Sequence, residues 1–158
     1  MLFRSGLNAL EQPDPKKITV IKLHGDIREP KRCILSKNQY DEAYGNGSLN
    51  LHKPIPKLLA YHYKNSSLLF LGCSLSNDRT VQVFRKIRED MGEEEEIKQH
   101  FAIEQAPETA SGIAQRNAEL AKLGITPIWF EKDRYELVES LLSRSEERRV
   151  GKECRSRW

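Results

Sequence analysis

No stretch of this sequence is apolar for long enough to cross a bilayer. Its longest apolar runs fall far short of the roughly 20 residues a membrane-spanning helix needs. No secretory signal is visible at the amino terminus, where a basic start should lead into an apolar centre. Cysteine is scarce, with three in 158 residues. Cys33 and Cys73 stand alone in the chain, and Cys154 lies in the basic tail. Isolated cysteines make neither a disulfide framework nor a zinc site, which needs about four ligands at close spacing. A reducing, cytoplasmic setting is the expectation. No internal repeat and no low-complexity segment is present.

A real basic excess is missing as well. The chain carries 26 basic and 23 acidic residues. The last fifteen residues, RSEERRVGKECRSRW from Arg144 to Trp158, read as the in-frame translation of a common short-read sequencing adapter. The first five, MLFRS, match the end of the opposite adapter. Residues 1–5 and 144–158 are therefore expected to lie outside the fold and to pack poorly, and residues 6–143 are taken as the biological sequence. Without those ends the balance is 19 basic to 20 acidic residues. A basic isoelectric point then says nothing about nucleic acid, and no direct nucleic-acid binding is expected.

What the chain does have is the stretch Ser67 to Asp78, SLLFLGCSLSND. Leu68 to Leu71 is a short apolar run, followed by Gly72, Cys73 and Ser74, and then by Asn77-Asp78 opening a helical pattern. The order reads as a buried parallel strand, a tight turn and a helix start. In an open α/β sheet, ligands bind at the carboxyl ends of the strands. Gly72 leaves room for close backbone approach, and Ser74 offers a hydroxyl.

The rest of the chain alternates in the same way. Gly6 to Lys17 is a polar loop, and Ile18 to Leu23 is a strand that runs into His24-Gly25-Asp26. Histidine can take or give a proton near neutral pH, and His24 stands where a strand ends. Ser36 caps a helix that runs through Tyr44 and stops at Gly45-Asn46-Gly47. A second helix runs from about Pro56 to Lys64. His52 and His62 have no partner at metal-ligand spacing and read as structural. Val81, Phe84, Ile87 and Met91 form an apolar helical stripe, and Glu93 to Glu96 is a solvated acidic run. His100 to Glu104 is a strand, Thr109 to Leu123 a helix stopped by Gly124, and Ile125 to Phe130 a strand. Pro127 argues for an edge or early position for that last strand. Asp133 is expected to cap a final helix. Strands alternating with helices on short links predict an α/β fold. Four strands, near 18–23, 68–71, 101–103 and 126–130, are expected in one mainly parallel sheet.

Several of these pieces occur in a familiar order. LHGD at Leu23 to Asp26 precedes ILSKNQYDEAY at Ile34 to Tyr44, then FLGCSLSND at Phe70 to Asp78, HFAI, and LGITPIWF. The arrangement resembles the carboxyl-terminal half of a sirtuin-like domain, of the zinc-less bacterial type. The resemblance implies a Rossmann-like, mainly parallel α/β fold, incomplete here, with NAD as substrate. It implies that His24, in its His-Gly motif with Gly25, is the catalytic histidine. It places Gly72, Cys73 and Ser74 on the Gly-Thr-Ser motif that lines the NAD site, with Cys73 in the threonine's place. Asp78 falls in a Ser-Leu-x-x-Asp pattern of the zinc-less branch and is counted among the NAD-site residues.

Two departures from the family pattern bear on function. The family's glycine-rich phosphate loop and Asn motif precede the histidine, and neither occurs here. The fragment alone is therefore expected to be inactive and not to hold NAD. The paired CxxC knuckles of protein-deacetylating sirtuins are also missing between His24 and Gly72, so no zinc is expected. Zinc-less bacterial relatives are mostly linked to NAD cleavage, often in anti-phage defence. The implied function is that of an NAD hydrolase domain, with a homo-oligomer or a fused effector or sensor domain as partner. The alternatives are a non-catalytic nucleotide-binding sensing module and, further off, a protein deacylase.

Overall fold

Three parallel strands carry the second half of the chain. They are β3 (Leu69–Leu71), β4 (His100–Gln105) and β5 (Ile125–Phe130), in that spatial order. The structure is a computed structural model and describes residues 2–5, 19–91 and 97–144, with the backbone alone for 2–5 and Thr19. The polar run Gly6 to Lys17, the acidic run Glu93 to Glu96 and the tail beyond Arg144 lie outside the described residues.

The chain divides into two compact units. One takes the residues up to Ser67 with Leu75–Lys98, the other Leu68–Ser74 with the residues from Gln99 onward. In the first unit β1 (Leu2–Ser5) pairs in parallel with β2 (Thr19–Lys22). The same unit holds α1 (Lys37–Tyr44), α2 (Pro54–Asn65) and α3 (Arg79–Asp90). In the second, α4 (Ala110–Ala121) packs against β5, and a further helix, α5, spans 136–144. All the pairings are parallel, and strands alternate with helices, as in an incomplete Rossmann-like α/β fold.

Local chemistry explains the helix borders. Ser36 accepts a hydrogen bond from the Gln39 amide, and the Gln39 side chain accepts one from the Ser36 amide. This reciprocal cap satisfies two of the four amides that a helix start leaves over. Asp78 and Thr109 cap α3 and α4 by accepting from the Val81 and Gly112 amides. α2 begins at Pro54, two residues before the expected Pro56, because both prolines lie in the first turn, where no helical N–H bond is lost.

Each unit has its own apolar core. In the first, α2 packs on α3, and Leu58, Tyr63, Val81, Phe84 and Ile87 are almost fully buried. The Tyr63 and Phe84 rings stack with centroids 4.6 Å apart, an arrangement worth about 0.5–1.5 kcal/mol beyond burial. In the second, Ala102, Leu120, Leu123, Ile125 and Phe130 close the core around the sheet. His100 is buried there and accepts a hydrogen bond at Nδ1 from the Leu68 amide, 3.2 Å away.

Four expectations are corrected. Among the described residues the four strands are not joined in one sheet: β2 pairs with β1 in the first unit, and β3, β4 and β5 pair in the second. β3 is an edge strand rather than a buried one. Among the described residues it has one neighbour, and Leu69 and Leu71 remain 48% and 46% exposed. Leu2–Ser5, read from the sequence as outside the fold, forms a strand on β2. Strand pairing uses main-chain groups that any extended segment offers, so side-chain pattern did not reveal it. Asp133 does not cap α5. It takes the left-handed region at φ 60 in a turn that precedes the helix by two residues, a conformation short polar side chains tolerate. Among the described residues Pro127 lies on an edge strand, as expected, opposite Ala102.

Candidate functional site

In the first unit the chain leaves β2 and turns sharply at His24-Gly25-Asp26. Gly25 has φ +100, and a Cβ there would come within 2.8 Å of the Arg32 carbonyl oxygen and the Cys33 Cα. The returning chain closes the loop through the Ile34 amide, which donates to the His24 carbonyl at 2.9 Å. Glycine is required here by both backbone conformation and space. Gly25→Ala is expected to cost about 1–3 kcal/mol of stability, read from the denaturation midpoint. An unchanged midpoint would show that the loop gives way without cost.

Asp26 fastens the same loop. Asp26 is 8% exposed, and its carboxylate accepts from Arg28 Nη2 at 2.6 Å, Arg28 Nε at 3.0 Å, the Arg28 amide at 3.0 Å and Lys22 Nζ at 2.8 Å. Hydrogen bonds from Arg28, then from Lys22, hold it well below the usual carboxylate range. Asp26 is therefore always ionised near neutral pH and carries no proton.

His24 packs its ring against α1. Its Nε2 lies 2.8 Å from the hydroxyl of Tyr44, and its ring sits 4.9 Å from that of Tyr40, centroid to centroid. Both tyrosines come from α1, four residues apart and so on one face. Burial lowers the His24 pKa, since the charged form loses hydration. A cavity of about 400 Å³ opens here, lined by His24, Tyr40, Tyr44, Asp78, Arg79 and Thr80 among others. Arg79 is ion-paired with Asp41. Asp78, counted among the NAD-site residues from the sequence, lines this cavity and caps α3.

Burial also lowers the pKa of His62 on α2. Both histidines favour the neutral form in the folded state, so below about pH 6.5 the unfolded chain binds more protons. Stability is expected to rise from about pH 5 to pH 6.5 and then level off with respect to these groups. Urea midpoints at about pH 5.5 and pH 7.5 check this; equal midpoints would show that neither histidine is held neutral.

In the second unit a larger cavity, of about 790 Å³, is lined at the carboxyl ends of β3, β4 and β5. Gly72, Cys73 and Ser74 follow β3, Glu104 and Gln105 end β4, and Phe130 ends β5. Val138 and Leu142 of α5 add an apolar wall. Gly72 takes φ +63, which favours glycine, and nothing lies within 4 Å of where its Cβ would be. This is the edge at which open α/β sheets take ligands.

Arg116 on α4 ties the loop down. Its Nη2 donates to the Ser74 carbonyl at 2.6 Å and to Glu104 Oε1 at 2.7 Å, while Nε donates to Glu104 Oε2 at 2.8 Å. Neither Arg116 nor Tyr44 was singled out in the sequence. Their partners stand 42, 12 and 20 residues away, so no local motif signals them.

The structure thus brings His24 and Asp78 together, and Gly72, Cys73 and Ser74 together, each group inside one unit. Among the described residues no cluster of three His, Cys, Asp or Glu could hold a metal ion. None of the described helices is long and apolar enough to cross a membrane. No curated protein matches the chain. The SIR2-like domain model matches residues 2–128, and the chain belongs to that family.

Proposed function

We propose that this chain is the histidine-bearing part of an NAD-cleaving SIR2-like domain. SIR2-like domains bind NAD, and cleavage breaks the bond between nicotinamide and ribose. Positive charge develops on the ribose as that bond opens, and water adds to it. His24 takes the proton, from the water or from a ribose hydroxyl. The observation that carries this reading is the setting of His24: half-buried, 2.8 Å from the Tyr44 hydroxyl and lining a cavity, with burial lowering its pKa. A neutral imidazole is the form that accepts a proton. The Gly72–Ser74 loop, at the carboxyl edge of the parallel strands, supports a nucleotide-binding role for the second unit.

The test is nicotinamide release with NAD alone, in this chain and in the protein extended upstream to include a glycine-rich phosphate loop. Release by the extended protein without any acylated peptide is expected. Release only when an acyl-lysine peptide is added would make it a deacylase. NAD binding with no release would make it a sensing module. We further propose a setting in bacterial anti-phage defence, on the resemblance to zinc-less bacterial relatives alone. Equal phage plating on cells with and without the extended protein would remove that assignment.

A further inference from the structure

We propose that Tyr44 is the positioning residue of His24: it accepts a hydrogen bond from Nε2–H and leaves Nδ1 as the nitrogen that takes the proton. The inference rests on the reading of His24 as the base. A neutral imidazole carries one proton on two nitrogens, and the hydrogen bond made by one nitrogen sets the state of the other. Here Nε2 faces the Tyr44 hydroxyl at 2.8 Å, and Tyr44 has no exposed surface. That nitrogen is therefore committed to a partner inside the protein. A ligand's proton has to arrive at Nδ1, which requires a lone pair there and the resident proton on Nε2.

The surroundings fit that assignment. The Tyr44 oxygen has two lone pairs and can accept from Nε2–H. Burial pushes the Tyr44 hydroxyl up to about 12, so it stays neutral at working pH and takes no proton from His24. The Tyr40 ring, 4.9 Å from the imidazole and tilted by 53°, limits how far that ring can swing. A residue that orients a catalytic histidine through its second nitrogen is a recurrent device in proton-transfer sites.

Nitrogen NMR of the imidazole in the full chain tests this directly, with the His24 signals identified by their loss in His24→Gln. Above the titration range, the expected result is a protonated Nε2 and a lone-pair Nδ1. A proton on Nδ1 instead would overturn the proposal, and this measurement needs no variant to fold. Tyr44→Phe keeps the ring and removes the hydroxyl. Its His24 is expected to titrate at lower pH than in the wild type, because the imidazolium loses its acceptor. Asp78 and Arg79 of α3, Tyr40 of α1 and Asp26 of the same loop remain in the variant. Titration at equal or higher pH would also overturn the proposal. In the extended protein, Tyr44→Phe is expected to lower kcat about tenfold with KM for NAD little changed. Full turnover by His24→Ala would instead remove the base assignment and leave the NMR result standing, so the two failures are distinguishable.

Discussion

Replacing His24 by alanine is expected to lower nicotinamide release by about 10²–10⁴-fold in the extended protein, while the fold and NAD binding persist. That range is what a positioned proton-transfer group typically contributes. The substitution is well tolerated structurally, since the loop is held by other groups. Gly25 allows its crossing, Asp26 fastens it to Arg28 and Lys22, and the Ile34 amide binds the main-chain carbonyl of residue 24, which alanine keeps. The wild-type rate should be flat near neutral pH and fall in acid. Burial places the His24 pKa below its ordinary value, so the neutral base is the main form at pH 7 and is lost only below that depressed pKa. Turnover by His24→Ala at the wild-type level would take histidine out of the mechanism. A rate that fell on going from pH 7 to pH 8 would argue for an acid rather than a base.

Arg116→Met is expected to lower the stability of the second unit by about 2–3 kcal/mol and to weaken NAD binding. Removing one partner of a buried ion pair costs about 3–5 kcal/mol, because the remaining charge is left uncompensated. The Arg116 and Glu104 side chains are 18% and 15% exposed, so water relieves part of that cost. Methionine keeps much of the stem, and the loss reports the guanidinium rather than packing. The Ser74 carbonyl also loses its 2.6 Å donor, which loosens the Gly72–Ser74 loop. Arg116→Lys keeps the charge but cannot make the bidentate pair and the bond to Ser74 in one planar geometry, so it should fall between the two. Denaturant unfolding and NAD titration of the extended protein check both effects. Wild-type stability and affinity in Arg116→Met would leave the loop without need of its clamp.

The parts of the fold that could be read from the sequence are those fixed by neighbouring residues. Ser36 with Gln39, Asp78 before Val81, and Thr109 before Gly112 announce helix starts within four positions. Gly124 after α4 and Pro127 in β5 mark a stop and an edge for equally local reasons. What pairs with what is a different matter. The apolar run Leu68 to Leu71 suits a buried strand, yet an edge strand with half-exposed leucines satisfies the same pattern. The β-branched run Thr19–Lys22 cannot say whether its partner is β3 or Leu2–Ser5. In the candidate site, His24, Gly72 and Ser74 were visible as residue types at strand ends. Tyr44 and Arg116 were not, since a tyrosine and an arginine on helices gain their meaning only from a distant imidazole, carbonyl or carboxylate.

The register of β5 bears on how the protein keeps its own company. The His100 amide donates to the Gly124 carbonyl, and the Ala106 amide to that of Phe130. In a parallel ladder these bonds alternate, so the even-numbered residues of β5 turn their main-chain groups toward β4 and Pro127 turns its nitrogen outward. A second chain laid against that outer edge would find no hydrogen to accept at the middle of the strand. The pyrrolidine ring thus acts as a gatekeeper against edge-to-edge growth, a common safeguard against fibre formation, on a strand whose sequence, ITPIWF, is otherwise apolar and β-prone.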